Sequence, residues 1–485
     1  MTAPTAVSPP PPSPFWARFR PYTAGNVPKS EWAVAAAVVV GALAAGAGAT
    51  AVTSALGGRL APVLLVALAV VPMVLLAALR RPWLAVAYVY LAIPVGDTAL
   101  PGLPLQVVQG MIVTALVVVL LRRIAEGRFP LDWTAPLWWF AGFVLWAVVA
   151  LPSAADRGVA VRQTLLFGGE LAFAAVILTA CSTPQRVRQA VGVLLGVAAF
   201  IAISTPLSLG EVSSQFGGAL VEGRAEGVFN QPNELGTFCA VVLLAGLGMA
   251  LGGRTQRGRR IAGATAGLIT IPLLLSLSRG AWIGVSAGVL ALAVMLPEAR
   301  RMLAWVSVPV ILLALLIGSF APSAPEVQVV SERARSILGE RNPYDDRPNI
   351  WREGRREFEA DPWTGQGPGS FPVVAARSGS ETVTFYPEHA HNLLLTFAAE
   401  LGLGGVAFFV GLAGAVTVGV RRALRRARVL DRRRDAALIA GLAAAMVAVL
   451  AQGAIDYSLR SATIFTAITG ALGALLAMIR TVERA

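Results

Sequence analysis

The only two histidines among the 485 residues, His389 and His391, are separated by one residue and followed by Asn392. Histidine is the side chain best suited to moving protons near neutral pH. Both lie where the longest polar segment gives way to a long apolar one. The sequence therefore predicts proton-transfer chemistry at a membrane entrance, centred on His391. A purely structural hydrogen bond is the alternative role, above all for His389.

The elements that must hold this pair are predicted to be membrane-spanning helices. The chain is 56% hydrophobic and 14% charged, and apolar windows of roughly 20 residues recur along it. They predict an all-α polytopic membrane protein with fourteen spans, or twelve if one closely spaced pair is discounted. The arginine-rich segments between spans then fall on one side, as cytoplasmic segments do. The net charge of +13 thus indicates topology and not nucleic-acid binding.

The same pattern divides the chain into four parts. Residues 1–30 are rich in proline and predict a disordered cytoplasmic tail. Residues 31–320 form a transmembrane helix bundle with an outer loop near 210–233. Residues 321–391 form a large helical extracytoplasmic loop, and residues 392–480 form the C-terminal transmembrane helices.

Arginines on the predicted outer side depart from the charge rule, and Arg224, Arg279, Arg347 and Arg460 are the informative ones. Arg279 lies between closely spaced spans, where a charge is costly unless it is paired. Arg224, Arg279 and Arg347 are candidates for binding an anionic substrate. Surface ion pairs or structural salt bridges are the alternatives for the first three. We expect Arg460 to pair locally with Asp456.

The large outer loop is predicted to contain a helix that starts near Arg347 and stops at Asp361-Pro362. Its spacing puts Trp351 and Phe358 on one face, and puts a glutamate pair, Glu353 with Glu357, and an arginine pair, Arg352 with Arg356, on the polar side. Trp351 is expected in the core, with a sugar platform as the alternative. The glycine-rich turn at 365–369 lets backbone approach a neighbour closely.

Asn392 is predicted to cap the helix that follows the histidines. On a straight helix, Gly402 and Gly405 would lie near the azimuth of His391, with Glu400 on the opposite face. Such small residues would allow another helix to pack tightly and hold His391 rigidly.

No metal or cofactor is expected. A histidine pair at i and i+2 without further histidine or cysteine ligands is a weak metal signal. Cys181 and Cys239 lie far apart, without metal or disulfide spacing. Asn230 and Asn233 are expected to be turn and cap residues.

Taken together, these motifs resemble the O-antigen ligase and polymerase family. The similarity extends over about residues 224–405 and includes His391-Asn392 followed by Gly402-x-x-Gly405. The other matching segments are Gly227-x-x-x-Asn230-x-Pro232-Asn233, Ser278-Arg279-Gly280, Arg347 with Trp351, Asp361-Pro362, Gly365-x-Gly367-x-Gly369 and His389-Ala390-His391.

The resemblance implies a metal-independent, inverting glycosyl transfer on the outer face of the cytoplasmic membrane. The donor would be a glycan on a polyprenyl diphosphate, and the acceptor a lipid-linked glycan. The essential histidine of the family corresponds to His391, and its donor-binding arginines correspond to Arg224 and Arg279. Arg347, His389 and Asn392 are further predicted substrate-binding residues. The resemblance also implies about twelve spans, fewer than the fourteen counted above.

The chemistry is consistent with this assignment. A departing diphosphate needs guanidinium groups, which form charge-assisted and often bidentate hydrogen bonds. The attacking hydroxyl needs a base, which a neutral imidazole supplies. A composition rich in arginine and alanine suggests a GC-rich bacterial genome, which slightly favours polymerase over ligase. The rival interpretations are a small-solute transporter and a non-catalytic component of surface-polysaccharide export. A carrier would place its charges near mid-membrane at broken helices, and these charges lie at the outer rim.

Overall fold

The computed structural model describes residues 77–98, 106–128, 131–205, 224–300, 347–377 and 388–485. The proline-rich tail, the first predicted span, the span at 302–320 and much of both outer loops lie outside these residues. The α-helices of the described part are numbered in chain order: α1 Trp83–Tyr90, α2 Val107–Ala125, α3 Ala135–Val149, α4 Arg157–Ala180, α5 Pro184–Ser204, α6 Pro232–Gly252, α7 Gln256–Leu275, α8 Arg279–Met295, α9 Arg347–Ala360, α10 Phe371–Arg377, α11 Leu393–Val429, α12 Arg433–Gly453 and α13 Ala462–Glu483.

The predicted fold class is confirmed: the chain is an all-α, multi-pass membrane protein. Within the described residues, seven helices are long and apolar enough to cross a membrane, namely α2, α4, α5, α6, α11, α12 and α13. Shorter apolar helices accompany them at Trp83–Val95, α3 and α8. The most central is α13, whose apolar window is entirely buried. The division of the chain into four parts stays a prediction.

The two ends of the bundle differ in chemistry. At one end arginines tie helices together: Arg188 lies 2.6 Å from Asp435, and Arg480 lies 2.7 Å from Asp132. We call this the arginine-rich end. Because successive long helices alternate in direction, the segments before α6, α8, α11 and α13 meet at the opposite end, which we call the histidine end. Both histidines lie there.

Helix α11 is broken near the histidine end, contrary to the straight helix predicted from the sequence. Gly402 has φ 61° and ψ −162°, a backbone conformation open almost only to glycine. Backbone of the outer loop fills the break, since Leu403 N–H donates to the carbonyl of Pro362 at 2.8 Å and Gln366 N–H donates to that of Ala399 at 2.9 Å. The residue therefore accommodates the loop backbone and not a neighbouring helix.

Glu400 anchors the loop at this break. Its side chain is 2% exposed and accepts hydrogen bonds from the backbone N–H of Gly369 at 2.8 Å and of Phe371 at 3.4 Å. On the other side of the break, the indole N–H of Trp146 donates to the carbonyl of Leu401 at 2.9 Å. The glycine-rich turn does approach a neighbour closely, because a Cβ at Gly365 would lie 2.4 Å from the backbone of Glu400.

Helix α9 stops at Ala360, directly before Asp361-Pro362, as predicted, but its faces depart from the prediction in part. Glu353 and Glu357 are 4% and 2% exposed, whereas Trp351 is 36% exposed. The glutamates of the expected polar side therefore pack inward while its arginines stay exposed, and the prediction of a core tryptophan is wrong. Burial, reinforced by the nearby carboxyl groups of Glu400 and Glu353, raises the pKa of Glu357 to about 9.

Candidate active site

A buried imidazole–carboxylate pair forms the centre of the histidine end. The Nδ1 atom of His391 lies 3.1 Å from Oδ1 of Asp456, and both residues are 4% exposed. His391 immediately precedes the Asn392 cap of α11, whereas Asp456 lies in the connection from α12 to α13. Tyr457 N–H donates to the same Asp456 oxygen at 2.9 Å. A carboxylate so placed fixes which nitrogen of the imidazole carries the proton.

The ring of His389, the second histidine, is oriented by a backbone hydrogen bond. The backbone N–H of His391 donates to Nδ1 of His389 at 3.2 Å, so this Nδ1 is unprotonated and a neutral His389 carries its proton on Nε2. The pKa of His389 lies well below its ordinary value, mainly because the side chain is buried and secondly because of the charge of the neighbouring His391. The predicted structural hydrogen bond of His389 is therefore confirmed.

Asp456 is held as a carboxylate. Burial alone would raise its pKa, but the hydrogen bond and charge of His391, with further contributions from His389 and Arg347, hold that pKa well below its usual value. The carboxylate therefore accepts the Nδ1–H of His391. The Nε2 atom of His391 is then left as a proton acceptor.

Local backbone structure fixes the pair in place. The side chain of Asn392 caps α11 as predicted, accepting from Leu395 N–H at 2.9 Å, and it donates to the carbonyl of Ala454 at 2.9 Å. One amide thus joins the segments that carry His391 and Asp456. His391 itself has φ 48°, an uncommon conformation for a residue other than glycine and one that occurs often at functional sites.

Arg224 is fixed beside this centre and is not a surface residue. It is 9% exposed, and its guanidinium donates from Nε to the carbonyl of Ser276 at 3.0 Å and from Nη2 to Asn233 at 3.1 Å. Asn233 therefore orients an arginine, and the N-cap of α6 is Gln231. The prediction of Asn233 as a cap is wrong. Asn230 lies in the preceding turn, as predicted.

Arg279 is the first residue of α8, three positions after the carbonyl that binds Arg224. The next residue, Gly280, packs against the end of α12, where an added Cβ would lie 3.2 Å from Gln452 and 3.6 Å from Ile455. Asp456 follows Ile455 directly. The segments carrying both predicted donor-binding arginines therefore meet the segment carrying the carboxylate partner of His391.

The two remaining outer arginines also lie near the histidines. The charge of Arg347 acts on both His389 and Asp456. Arg460 donates to the backbone carbonyl of Glu388 and lies 3.8 Å from its carboxylate. The expected local pair of Arg460 with Asp456 is therefore wrong, because Asp456 is engaged by His391.

A polar cavity of about 290 Å³ adjoins the pair. Its volume is at the lower end of the range for small-molecule sites, ~300–1,000 Å³. Loops and helix ends from across the bundle line it with carboxylates, amides, hydroxyls and one guanidinium: Asp97, Gln106, Asn230, Gln231, Asn233, Glu234, Glu388, His389, Asp456, Tyr457, Ser458, Arg460 and Ser461. It reaches the centre through Asp456 and through His389, whose ring centroid lies 4.3 Å from that of His391.

The donor set also fits a metal ion by proximity. One ligand atom each from His389, His391 and Asp456 lies within 4.8 Å of the others. The sequence did not indicate this group, since its carboxylate is 65 residues away from the nearer histidine. Cys181 and Cys239 are buried free thiols and belong to the helix packing.

Comparisons with known proteins are consistent with this geometry. The family model described as O-antigen ligase matches residues 264–410, a region that includes Arg279, Arg347 and both histidines but not Arg224 or Asp456. No curated protein matches the chain.

One chain from a solved structure, described as "Structural coordination of polymerization and crosslinking by a peptidoglycan synthase complex", aligns over 73% of this chain and 99% of its own. The alignment has 20% identity and a TM-score of 0.42, a similarity too distant to support an argument. The family resemblance noted in the sequence is confirmed by the match of residues 264–410 to the O-antigen ligase family model, in a chain that is a multi-pass membrane protein.

Proposed function

We propose that this protein is a metal-independent, inverting glycosyltransferase. It joins a glycan carried on a polyprenyl diphosphate to a hydroxyl of an acceptor glycan, as a polysaccharide polymerase or ligase. The observation that carries this proposal is the buried contact of 3.1 Å between His391 and Asp456, next to a polar cavity. The match of residues 264–410 to the O-antigen ligase family supports the same class of reaction.

In the proposed reaction His391 acts as the base. Asp456 holds the proton on Nδ1, so Nε2 accepts the proton of the acceptor hydroxyl as its oxygen attacks the anomeric carbon. The bond from that carbon to the diphosphate breaks with its electron pair, and polyprenyl diphosphate leaves. A single displacement inverts the anomeric configuration. General base catalysis of this kind typically contributes ~10²–10⁴-fold.

The arginines are proposed to stabilise the departing diphosphate. Arg224 is held by Ser276 and Asn233, so its guanidinium is oriented before substrate arrives. Fixed positive groups stabilise charge that develops in the transition state without the reorganisation that free water would need. Arg279, at the start of α8, and Arg347, whose charge acts on the histidine centre, would complete the anion site.

We propose the outer face of the cytoplasmic membrane as the location of this site. The arginine-rich end lies opposite the histidines, and such segments usually face the cytoplasm. An enzyme outside the cell has no nucleotide sugar at hand, so its donor must carry its own good leaving group. A sugar on a lipid diphosphate meets this requirement and reaches the site through the membrane.

The test is His391→Ala in the native host, compared with the unaltered protein at equal membrane abundance. We expect loss of long polymer together with accumulation of the unjoined lipid-linked oligosaccharide. Normal polymer with altered solute uptake would refute the transferase and support the transporter. Normal polymer and normal uptake would refute a catalytic role for this histidine.

A chelator tests metal independence separately. His389, His391 and Asp456 could together hold a divalent ion, but a ligated Nδ1 could not also donate to Asp456. We expect purified protein to keep its activity in excess chelator. Activity that disappears and returns with one divalent ion would assign these three residues to a metal.

A further inference from the structure

The cavity beside the histidine pair has an unusual charge balance for a protein proposed to bind a diphosphate. Among the described residues, four carboxyl groups line it, from Asp97, Glu234, Glu388 and Asp456, against one guanidinium, that of Arg460. The other three acids all lie within electrostatic range of Glu234, so the four groups share fewer than four negative charges. Arg460 already binds the carbonyl and carboxylate of Glu388. The cavity therefore offers hydrogen-bond acceptors and negative charge.

Two buried polar atoms of lining residues have no hydrogen-bond partner among the described residues: the Tyr457 hydroxyl and Oε1 of Gln106. A buried polar group normally has a partner, so such atoms in a cavity wall indicate that a ligand or water completes them. The two acids furthest from Arg460 in sequence also have spare capacity: Asp97 accepts from Thr463, and Glu234 accepts from Asn230 N–H, each through one oxygen.

We propose that this cavity binds the terminal sugar of the acceptor glycan, and that it selects a neutral or ammonium-bearing sugar over a carboxylate-bearing one. This inference rests on the proposed transferase function. Sugar hydroxyls donate readily to carboxylate and amide oxygens, which dominate the lining. A uronic acid would instead bring a further carboxylate next to these acids, and the arginine among the described lining residues, Arg460, is already bound to Glu388.

The acceptor is the better occupant because of where the cavity meets the reaction centre. Asp456 and His389 line the cavity, and both lie next to His391, the proposed base. The hydroxyl of the acceptor glycan is the group that gives its proton to this base. The proposed diphosphate site involves Arg224 and Arg279, neither of which lines the cavity. Asn233 links the two regions through its hydrogen bond with Arg224.

The experiment uses the full-length protein in lipid nanodiscs, with the lipid-linked oligosaccharide that accumulates in the His391→Ala host as donor. Three matched acceptors end in glucose, glucosamine or glucuronic acid. We expect transfer to the first two and little to the third. The double variant Asp97→Asn/Glu234→Gln keeps an oxygen acceptor at each position but leaves neither side chain able to ionise. Because like charges disfavour the ionisation of Glu234, the charge removed is mainly that of Asp97. The double variant should raise the turnover of the glucuronic acid acceptor relative to the glucose acceptor by about tenfold.

The control is Asp156→Asn, which removes a carboxylate that caps α4 outside the cavity and keeps the capping oxygen. It should leave the acceptor ratio unchanged. Equal transfer to all three acceptors by the unaltered protein would overturn the inference and leave the transferase standing. A ratio unchanged in the double variant, or changed equally by the control, would also overturn it. If the donor is not consumed with any of the three acceptors or with the host's own acceptor, the proposed transferase function itself is rejected.

Discussion

Replacing Asp456 with Asn is expected to abolish most of the activity while preserving the fold. The two side chains have the same shape, and an amide oxygen can still accept the Tyr457 N–H that lies 2.9 Å from Oδ1. The same oxygen can also still accept Nδ1–H of His391, because both groups contact Oδ1 of Asp456. The amide carries no negative charge, however, so it no longer stabilises the imidazolium that forms when His391 takes the proton of the acceptor hydroxyl.

The size of the effect follows from the loss of the base. Without the carboxylate charge beside the imidazolium, the proposed reaction loses most of its general base catalysis, which is worth ~10²–10⁴-fold. This corresponds to about 3–5 kcal/mol in the activation free energy. Bulk water does not readily replace the base, because His391 and Asp456 are both 4% exposed. The acceptor KM should change little, since the cavity keeps its shape.

The assay is single-turnover transfer in nanodiscs with saturating donor, together with thermal unfolding of each variant. Asp435→Asn is the matched control, because Asp435 forms an ion pair of 2.6 Å with Arg188 at the arginine-rich end. We expect that control to turn over at the normal rate. The reasoning is refuted if folded Asp456→Asn keeps a rate within about threefold of the unaltered protein, a change too small for a lost general base.

Three further predictions concern the anion site, the broken helix and the outer helix. Arg279→Lys keeps the positive charge but loses the planar guanidinium, so the KM for the donor should rise about tenfold. Arg257→Lys, at the arginine-rich end, should leave the donor KM unchanged. If both variants change the donor KM equally, Arg279 does not belong to the anion site. Gly402→Ala should lower unfolding stability by about 1–3 kcal/mol and expose the outer loop to protease, because only glycine readily adopts its conformation. Gly414→Ala in the same helix, where a Cβ meets open space, should be harmless, and equal protease resistance in the two variants would contradict the docked loop. Since burial raises the pKa of Glu357 from about 4.5 to about 9, the folded protein favours its neutral form and stability should fall as pH rises through that window. Glu357→Gln should flatten this decline in thermal unfolding between pH 5 and 9, and an unaltered pH dependence would count against the assignment.

The sequence predicted those parts of the site that depend on local pattern. Asn392 caps its helix because a side-chain oxygen beside free N–H groups is a local arrangement. His389 and His391 were noticeable because of their rarity and position. Asp456 was not, since one acidic residue in a short connection has no distinguishing spacing, and its partner lies 65 residues earlier. The signal available was its place on the same outer side as the histidines.

The break in α11 could not be predicted because its cause lies outside the helix. The apolar pattern from Leu393 onward continues through Gly402, and a glycine alone is tolerated within a helix. The loop backbone at Pro362 provides the competing hydrogen bond. The inward orientation of the two glutamates of α9 has a similar origin. Charged positions usually face solvent, but here the carboxyl groups of Glu353 and Glu357 turn toward the helix that contains Glu400.

Charge separation around the histidine pair gives the proposed reaction a direction. On one side lie Arg224 and the start of α8, which suit a diphosphate. On the other lies a cavity with four carboxyl groups, which repels one. Two lipid-linked substrates of similar chemistry could otherwise exchange places, and only one order puts a hydroxyl beside Nε2 of His391 with the leaving group beside the arginines. The side-chain amide of Asn392 joins the segments of His391 and Asp456, so the imidazole base is held between the arginines and the acidic cavity. The carboxylates of the cavity therefore contribute to the reaction by excluding the donor diphosphate as well as by binding the acceptor.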